Sequence, residues 1–272
     1  VLAMGGMGAV YTGEHVHMRK RVAIKVLHPD TEGLPELVAR FEREAIVGAH
    51  IEHKNIAAAR DFGRMKDGSY YLVLEFVKGV TLRQLLRQGH LAIARTLRIA
   101  KQIATGLGKL HAKRIIHRDL NPRNVMVVGG KDAVKLIDFG FAKVPVEKFA
   151  AMSFQKGQVA APSRITGDGI IFGTIGFLAP EAAFGMRSVD SRSDLYALGA
   201  IFYEMLSGEA PFDADTQAAL FAKHRMEPVP PMRERAPGVV VDPTHEAIAL
   251  KLLAKDPAAR FQRAEDVVKA LD

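Results

Sequence analysis

The sequence predicts an α+β fold, because strand-type and helix-type patterns occupy different parts of the chain. Short β-type runs dominate the first part, at residues 1–18, 22–26 and 70–77, and one helical pattern lies between them at residues 34–50. After Gly79 the apolar spacing is mainly helical. With 272 residues, the chain is long enough for one large domain or for two packed lobes, each with its own core.

The helical part contains one amphipathic and one buried pattern. Residues 95–114 place their apolar side chains on one face, which predicts a helix with a charged outer face. Residues 191–208 are apolar on most faces and predict a buried helix, with Asp194 positioned to cap its N-terminus. A proline-rich loop and two closing helices follow, at residues 228–243, 245–255 and 264–271.

Composition excludes several kinds of site. The chain has no cysteine, which excludes disulfide bonds and thiolate metal sites. No run approaches the roughly eighteen apolar residues of a membrane span, and the N-terminus does not resemble a signal peptide. The formal charge of +8 is scattered and is accompanied by few aromatic residues, which favours a solvated basic surface over a nucleic-acid interface. Because the chain begins at Val1, close to a glycine-rich turn, we expect a fragment of a longer protein, with any membrane anchor outside it.

One stretch in the middle of the chain concentrates polar side chains around a predicted hairpin. Two apolar runs, residues 125–128 and 133–137, flank a pair of glycines and predict two antiparallel strands. Asp119 and Asn124 precede the first run, and Asp138 follows the second, so folding the hairpin brings the three together. Converging oxygen ligands suit Mg²⁺, which commonly keeps waters and substrate phosphates, and a carboxylate that is not a ligand can accept a proton. The stretch therefore suggests phosphoryl transfer.

The same stretch carries motifs that identify a family. HRDL at residues 117–120, followed by Asn124 and by DFG at residues 138–140, resembles the catalytic loop and metal-binding turn of protein kinases. The other kinase signatures follow in order over nearly the whole chain, which is most similar to bacterial eukaryotic-like serine/threonine protein kinases. The resemblance implies a two-lobed protein kinase fold. The N-lobe, a small antiparallel sheet with one main helix and a truncated first strand, is expected at residues 1–77, and the larger, mainly helical C-lobe at residues 78–272.

The resemblance also implies the roles of individual residues. Asp119 is expected to be the general base, and Asn124 and Asp138 are expected to bind the metal. Asp194, besides its possible role as a cap, matches the aspartate that holds the backbone of the catalytic loop. The cofactors implied are ATP with Mg²⁺, or Mn²⁺ in its place, and the substrates are proteins with serine or threonine acceptors. The residues implied in catalysis are Asp119, Lys25, Asn121 and Thr174. Those implied in nucleotide binding are Gly5, Gly6, Gly8, Val10, Ala23, Lys25, Glu44, Leu74, Glu75, Val77, Met126 and Asp138.

The first part of the chain supplies the expected nucleotide site. The glycines of residues 5–8 let backbone N–H groups approach a phosphate, although an ordinary hairpin explains a glycine turn on its own equally well. Lys25 lies in a strand with apolar side chains on both faces, where a buried ammonium needs a partner; the alternative is a lysine that reaches solvent. The resemblance supplies Glu44 as that partner. It also places Leu74 beside the back pocket and the backbone of Glu75 and Val77 against adenine.

The activation segment is expected at residues 138–181. Its ending, GTIGFLAPE, resembles that of serine/threonine kinases, and Glu181 is expected to pair with Arg260. Residues 144–172 lack periodicity and are interpreted as a mobile loop. The candidate phosphorylation sites are Ser153, Ser163 and Thr166, and each could also be an ordinary loop hydroxyl. By the resemblance, Arg118 would pair with the phosphate, and self-association would serve autophosphorylation in trans.

Three departures from the family pattern support a second hypothesis, a weakly active or inactive pseudokinase scaffold. Ala3 replaces the first glycine of the loop, Gly48 replaces an apolar residue after Glu44, and Asn121 replaces a lysine that contacts the transferred phosphate. An amide donates a hydrogen bond but brings no charge, so slow turnover is expected. Against the scaffold, the main site residues are all present: Lys25, Glu44, Asp119, Asn124 and Asp138.

A third hypothesis is a small-molecule phosphotransferase of related fold. The glycine loop, the GTIGFLAPE ending and the Glu181 and Arg260 pair all favour protein substrates instead. Glu204 has a family counterpart that binds basic substrate residues, and a purely structural partner for Glu204 is an equally good interpretation.

Arg123 yields a prediction about substrates. It stands where the family often has an acidic residue that attracts basic substrates, so the reversed charge should disfavour arginine upstream of the acceptor. We expect a preference for neutral or acidic residues there, measured with a peptide array. A strong preference for arginine on the array would contradict this interpretation.

Overall fold

The computed structural model describes residues 1–5, 8–27, 38, 42, 45, 51–138, 175–185 and 188–272. The N-terminal part forms a five-stranded antiparallel sheet in the order β1-β2-β3-β5-β4. Its strands are β1 (Ala3–Gly5), β2 (Gly8–Glu14), β3 (Arg21–Leu27), β4 (Ala59–Arg64) and β5 (Tyr70–Glu75). In the predicted helix at residues 34–50, residues 38, 42 and 45 are helical, and Ala45 packs in a small core with Leu27 and Leu72.

The C-terminal part is mainly helical and contains a second, three-stranded sheet. The sheet consists of β6 (Val80–Thr81), β7 (Val125–Val128) and β8 (Ala133–Leu136), in that order. The helices are α1 (Leu82–Leu86), α2 (Ile93–Ala112), α3 (Ser191–Ser207), α4 (Gln217–Met226), α5 (Met232–Arg235), α6 (Pro243–Leu252) and α7 (Ala264–Ala270). Two short 3-10 helices cover Pro180–Phe184 and Pro257–Ala259. Among the described residues, no helix is long and apolar enough to cross a lipid bilayer.

The large core lies around α3, which packs against α2 and α6. Tyr196, Phe202 and Tyr203 of α3 are among the largest fully buried side chains. The helix has clear limits at both ends. Asp190 caps its N-terminus by accepting a hydrogen bond from the backbone N–H of Arg192, and Gly208 ends it in a left-handed conformation. The buried helix predicted at residues 191–208 is confirmed, but the cap is Asp190 and the prediction of Asp194 as cap was wrong. Asp194 lies inside the first turn.

Most predicted elements are present, with shifted ends. The hairpin of β7 and β8 and the partly buried strand that carries Lys25 are confirmed. β2 stops at Glu14, because residues 16–18 form a turn, and β5 stops two residues before Val77. The loop at residues 228–243 contains the short helix α5. End effects of this size are expected, because apolar periodicity does not mark where backbone hydrogen bonding stops.

A buried ion pair ties the 3-10 helix at residue 180 to the end of the chain. Arg260 is 2 % exposed, and its guanidinium donates to both oxygens of Glu181, each at 2.8 Å. Ser193 also donates to Glu181, at 2.6 Å. Burial alone would raise the pKa of Glu181, but the hydrogen bonds from Arg260 and Ser193 outweigh it and hold that pKa below its ordinary value. The expected pairing of Glu181 with Arg260 is therefore confirmed in geometry.

Replacing Arg260 should destabilise the fold strongly. Arg260→Leu leaves the Glu181 carboxylate buried without its partner, and we expect a loss of about 3–5 kcal/mol in the free energy of unfolding. Urea denaturation at neutral pH measures the loss. The matched control is Arg263→Leu, because Arg263 is 70 % exposed and pairs with Glu265 at the surface, where a pair contributes about 0–1 kcal/mol. Equal losses in the two variants would contradict this interpretation.

Candidate active site

The loop that carries Asp119 is fixed by a carboxylate from the buried helix α3. Asp194 is 2 % exposed, and it accepts hydrogen bonds from the backbone N–H groups of His117 at 2.8 Å and Arg118 at 2.9 Å. His111, at the end of α2, lies 2.8 Å from the same carboxylate. Arg118 has a φ of 63°, a conformation that costs free energy for a side chain of this size. The charge-assisted hydrogen bonds to Asp194 stabilise this strained turn.

The side chain of Asp119 is held by two amides. Asn121 donates its Nδ2 to Oδ1 of Asp119 at 3.0 Å, and Asn124 donates its Nδ2 to Oδ2 at 3.0 Å. Both amides also reach the backbone oxygen of Asp119, at 2.9 and 2.8 Å. Asn121 is itself fixed, because its Oδ1 accepts the backbone N–H of Arg123 at 3.0 Å. Each carboxylate oxygen of Asp119 thus has a fixed direction.

Asp138 lies beside this cluster because β8 continues into it. The backbone N–H of Ile137 donates to the carbonyl of Asn124 at 2.9 Å, which joins the end of β8 to the loop. Asp138 follows with a φ of 55°, a second strained residue at the site. Its Oδ1 lies 2.6 Å from Nζ of Lys25. The ion pair connects the five-stranded sheet to the end of the β7 and β8 hairpin, 113 residues later in the sequence.

Strand register places several predicted nucleotide-binding residues on one face of the large sheet. Val10 and Lys25 are directly opposite each other in β2 and β3, and Ala23 is opposite Leu74 in β3 and β5. Residues opposite each other in an antiparallel pair share a face, as do residues two apart in a strand. Val10, Ala23, Lys25 and Leu74 therefore line the same face. The side chain of Lys25 is 20 % exposed, as expected for a partly buried lysine.

The end of β5 is braced by a lysine from β8. Nζ of Lys135 lies 2.8 Å from Oε2 of Glu75, and the backbone N–H of Glu75 donates to the carbonyl of Ala58. Met126 is opposite Lys135 in the three-stranded sheet, so it lies on the face from which Lys135 reaches Glu75. Immediately after β5 the chain passes close to β7, where a Cβ added at Gly79 would collide with the carbonyl oxygen of Val127. This collision explains why position 79 is a glycine.

Comparison with known proteins identifies the family of the chain. The protein kinase domain model matches residues 1–270 of the chain. The chain belongs to the protein kinase family. Its relatives include the serine/threonine-protein kinases pkn3 and pkn2 of Myxococcus xanthus, 36 % and 38 % identical over 97 % and 99 % of this chain. PknB of Mycolicibacterium smegmatis is 36 % identical over 98 %. Among protein kinases, the chain thus groups with the bacterial, eukaryotic-like serine/threonine kinases.

The relatives are longer proteins. The kinase chain covers 47 % of pkn3, 31 % of pkn2 and 41 % of PknB. The solved structure of the PknI kinase domain of Mycobacterium tuberculosis is similar, with a TM-score of 0.70 over 99 % of this chain and 92 % of that one. At 24 % identity, that likeness shows the fold alone, and it confirms the expected two-lobed kinase architecture.

The donor set around Asp119 fits the ATP and divalent metal that protein kinases use. Asn124 donates through its Nδ2, and among the described residues none donates to its amide oxygen. This oxygen and the carboxylate of Asp138 are hard ligands of the kind that Mg²⁺ prefers. The ammonium of Lys25 lies beside the carboxylate of Asp138, and its positive charge complements the negative charge of a phosphate. The geometry is therefore compatible with a metal-bound nucleotide.

The histidine before Arg118 contributes packing. His117 is fully buried, and burial lowers the pKa of its imidazole even though the carboxylates of Asp194, Asp119 and Asp138 act in the opposite direction. Burial and a lowered pKa both suit packing, which is the role that the sequence favours for His117 and Phe139. In the family pattern the two stack in an apolar column that links the lobes, and Phe139 lies outside the described residues.

A small pocket opens beside Asp119. It is lined by Arg118, Asp119, Phe177, Leu178, Ala179 and Val189 among others. The residues of the GTIGFLAPE ending from 177 onward thus reach the expected general base. Other predicted residues lie outside the described part of the chain: Gly6, Glu44, Gly140, Ser153, Ser163, Thr166, Thr174 and the expected mobile stretch 144–172.

Two contacts of the kinase were not expected from the sequence. Lys135 reads as an exposed position of an edge strand, and only the tertiary fold brings it to Glu75. Arg83 lies in the short helix α1, for which no prediction was made, and it forms an ion pair with Glu204 at 2.6 Å. Two features of the sequence could have indicated these contacts. For Lys135 it was the alternating pattern of β8, and for Glu204 it was the position of an acid within an apolar helix.

Asn121 should matter because it orients Asp119. We expect Asn121→Ala to lower kcat about ten- to hundredfold with little change in KM for ATP, since one hydrogen bond to a charged group contributes about 1.5–3 kcal/mol. Steady-state kinetics measure both constants. Asn55→Ala is the control: Asn55 is equally buried and donates to Val134 O, away from Asp119, so it should reduce stability and leave kcat near the wild-type value. An unchanged kcat in Asn121→Ala would contradict an orienting role.

Proposed function

We propose that the protein containing this chain transfers the γ-phosphoryl group of ATP to serine or threonine hydroxyls of proteins. The observation that carries the proposal is the cluster in which Asn121 and Asn124 each fix one oxygen of Asp119 while Lys25 reaches Asp138. Titratable and amide groups from three separate segments converge there, namely the strand with Lys25, the loop with Asp119 and the end of the hairpin at Asp138. Such convergence suits phosphoryl transfer, which depends on positioning and charge neutralisation. Bacterial relatives named as serine/threonine-protein kinases support the choice of acceptor.

In this proposal Asp119 accepts the proton of the acceptor hydroxyl. Its carboxylate direction is set by the amides of Asn121 and Asn124, so little reorganisation is needed during the reaction. Asn124 and Asp138 would hold Mg²⁺, or Mn²⁺ in its place, through their side-chain oxygens. When bound, the metal supplies positive charge that neutralises the phosphates. Thr174 is proposed to contact Asp119, as in the family pattern.

The remaining nucleotide contacts are assigned along one face of the large sheet. Lys25 would bind the α- and β-phosphates, which means that its ammonium must be shared with, or leave, Asp138. Val10, Ala23 and Met126 would pack on the adenine, and Leu74 would lie beside the back pocket. Because the N–H of Glu75 is already used by Ala58, Glu75 would offer its carbonyl. The other assigned contacts are Gly5, Gly6, Gly8, Glu44 and Val77.

Organisation and regulation follow from the same assignment. We place the N-lobe at residues 1–77, the C-lobe at residues 78–272 and the activation segment at residues 138–181. Phosphorylation of Ser153, Ser163 or Thr166, in trans between two copies, would order the segment through Arg118. We propose a cytoplasmic location for the catalytic part, either in a protein that is wholly cytoplasmic or in the cytoplasmic domain of a longer, membrane-anchored protein.

Autophosphorylation tests the proposal directly. The purified chain is incubated with ATP and Mg²⁺ beside Asp119→Asn, and residues 152–172 are analysed by mass spectrometry. We expect phosphate on Ser or Thr in the wild type, and a rate lower by about 10²–10⁴-fold in Asp119→Asn, because the general base is lost. Binding of nucleotide without phosphate transfer in either protein would overturn the proposal and favour the scaffold.

A further inference from the structure

The buried carboxylate of Glu204 is occupied by an arginine of the chain itself. The guanidinium of Arg83 reaches both oxygens of Glu204, through Nη1 at 2.6 Å and Nη2 at 3.3 Å. The side chain of Glu204 is 8 % exposed and that of Arg83 is 28 % exposed, so the cation closes the acid off from solvent. Burial raises the pKa of Glu204, and Arg83 acts against that shift, so the carboxylate depends on a nearby cation for its charge.

This ion pair lies behind one side chain of the pocket that contains Asp119. The backbone N–H of Arg83 donates to the carbonyl of Pro122 at 2.9 Å, which ties α1 to the loop between Asp119 and Asn124. The guanidinium also lies over the ring of Phe177, 5.8 Å from its centre. Phe177 lines the same pocket as Asp119. Only the ring of Phe177 therefore separates the pair from this pocket.

The other buried carboxylates around the pocket are also engaged. Asp194 holds the backbone of the catalytic loop, and Glu181 is bound by Arg260. Each has a role in maintaining the fold that a substrate could not take over. Glu204 differs from them because its partner, Arg83, is partly exposed and lies on a short helix. Of these three acids, Glu204 is therefore the one whose arginine partner could be replaced by a basic side chain of a substrate.

We propose that Arg83 is a specificity-determining residue, which occupies Glu204 and so excludes arginine and lysine side chains of protein substrates from this carboxylate. The inference rests on the proposed function, because this selectivity can be measured only through phosphorylation of a substrate. The substrates selected are segments with neutral or acidic side chains at the position that faces Arg83. Without Arg83, the buried carboxylate of Glu204 needs a new cation, and a basic substrate side chain supplies one.

The experiment compares pairs of serine peptides that differ by arginine or alanine at one position, for every position around the acceptor. In the wild type we expect arginine to give no increase in kcat/KM at the position that faces Arg83. In Arg83→Gln we expect about a tenfold increase or more for the arginine peptide at one position, mainly through a lower KM, because a hydrogen-bonded charge pair forms. Adding Glu204→Gln to this variant should remove the increase.

Arg87→Gln is the matched control, because Arg87 is exposed at the end of the same helix. It should leave the ratio of arginine to alanine peptides at its wild-type value. Arg83→Lys, which keeps the charge but cannot form the paired hydrogen bonds, should give a smaller increase at the same position and serves if Arg83→Gln is unstable. Thermal unfolding of each variant shows that the folded protein is being measured.

The outcomes separate the inference from the proposed function. If the variants phosphorylate alanine peptides but gain nothing from arginine at any position, the inference is wrong. It is also wrong if the gain persists when Glu204 is replaced. If the folded wild type phosphorylates no peptide and no residue of its own, the proposed function fails instead.

Discussion

The catalytic loop depends on one carboxylate in the core. Asp194 accepts two backbone N–H groups from residues 117 and 118, and these bonds stabilise the left-handed turn at Arg118. Asp194 can do this because α3 is buried along its length, capped by Asp190 and ended by Gly208. This buried helix thus sets the position of Asp119. The core and the proposed catalytic loop therefore share a single element.

Around that loop, amides and carboxylates are arranged so that each fixes the next. Asn121 and Asn124 orient Asp119, the carbonyl of Asn124 receives the N–H of Ile137, and Ile137 leads into Asp138. Lys25 then extends the network into the large sheet. A second connection, from Lys135 to Glu75, joins the two sheets near the end of β5. Both connections use a lysine and an acid, so the relative placement of the two sheets depends on charge as well as on packing.

The buried ion pairs have different consequences. Arg260 and Glu181 are both buried and hold the fold together, and their pairing leaves no exposed charge. Arg83 and Glu204 are asymmetric, since the arginine is partly exposed beside the pocket that contains Asp119. The first pair belongs to stability alone. The second lies one side chain away from that pocket, and the proposed role in substrate choice depends on this position.

The sequence by itself determined the fold class, the hairpin of β7 and β8, the buried helix α3 and the cluster of Asp119, Asn124 and Asp138. These features depend on local periodicity and on short motifs, which a chain carries wherever it folds. The sequence pattern favoured Asp194 as the cap of α3, although the cap is Asp190. Both are aspartates, a residue type that caps helices, and the sequence does not show where the first helical hydrogen bond forms. Only the tertiary structure decided that Arg83 meets Glu204, 121 residues away, and that Lys135 meets Glu75. Such pairs leave no periodic trace, because their partners are brought together by the packing of separate elements and not by the chain between them.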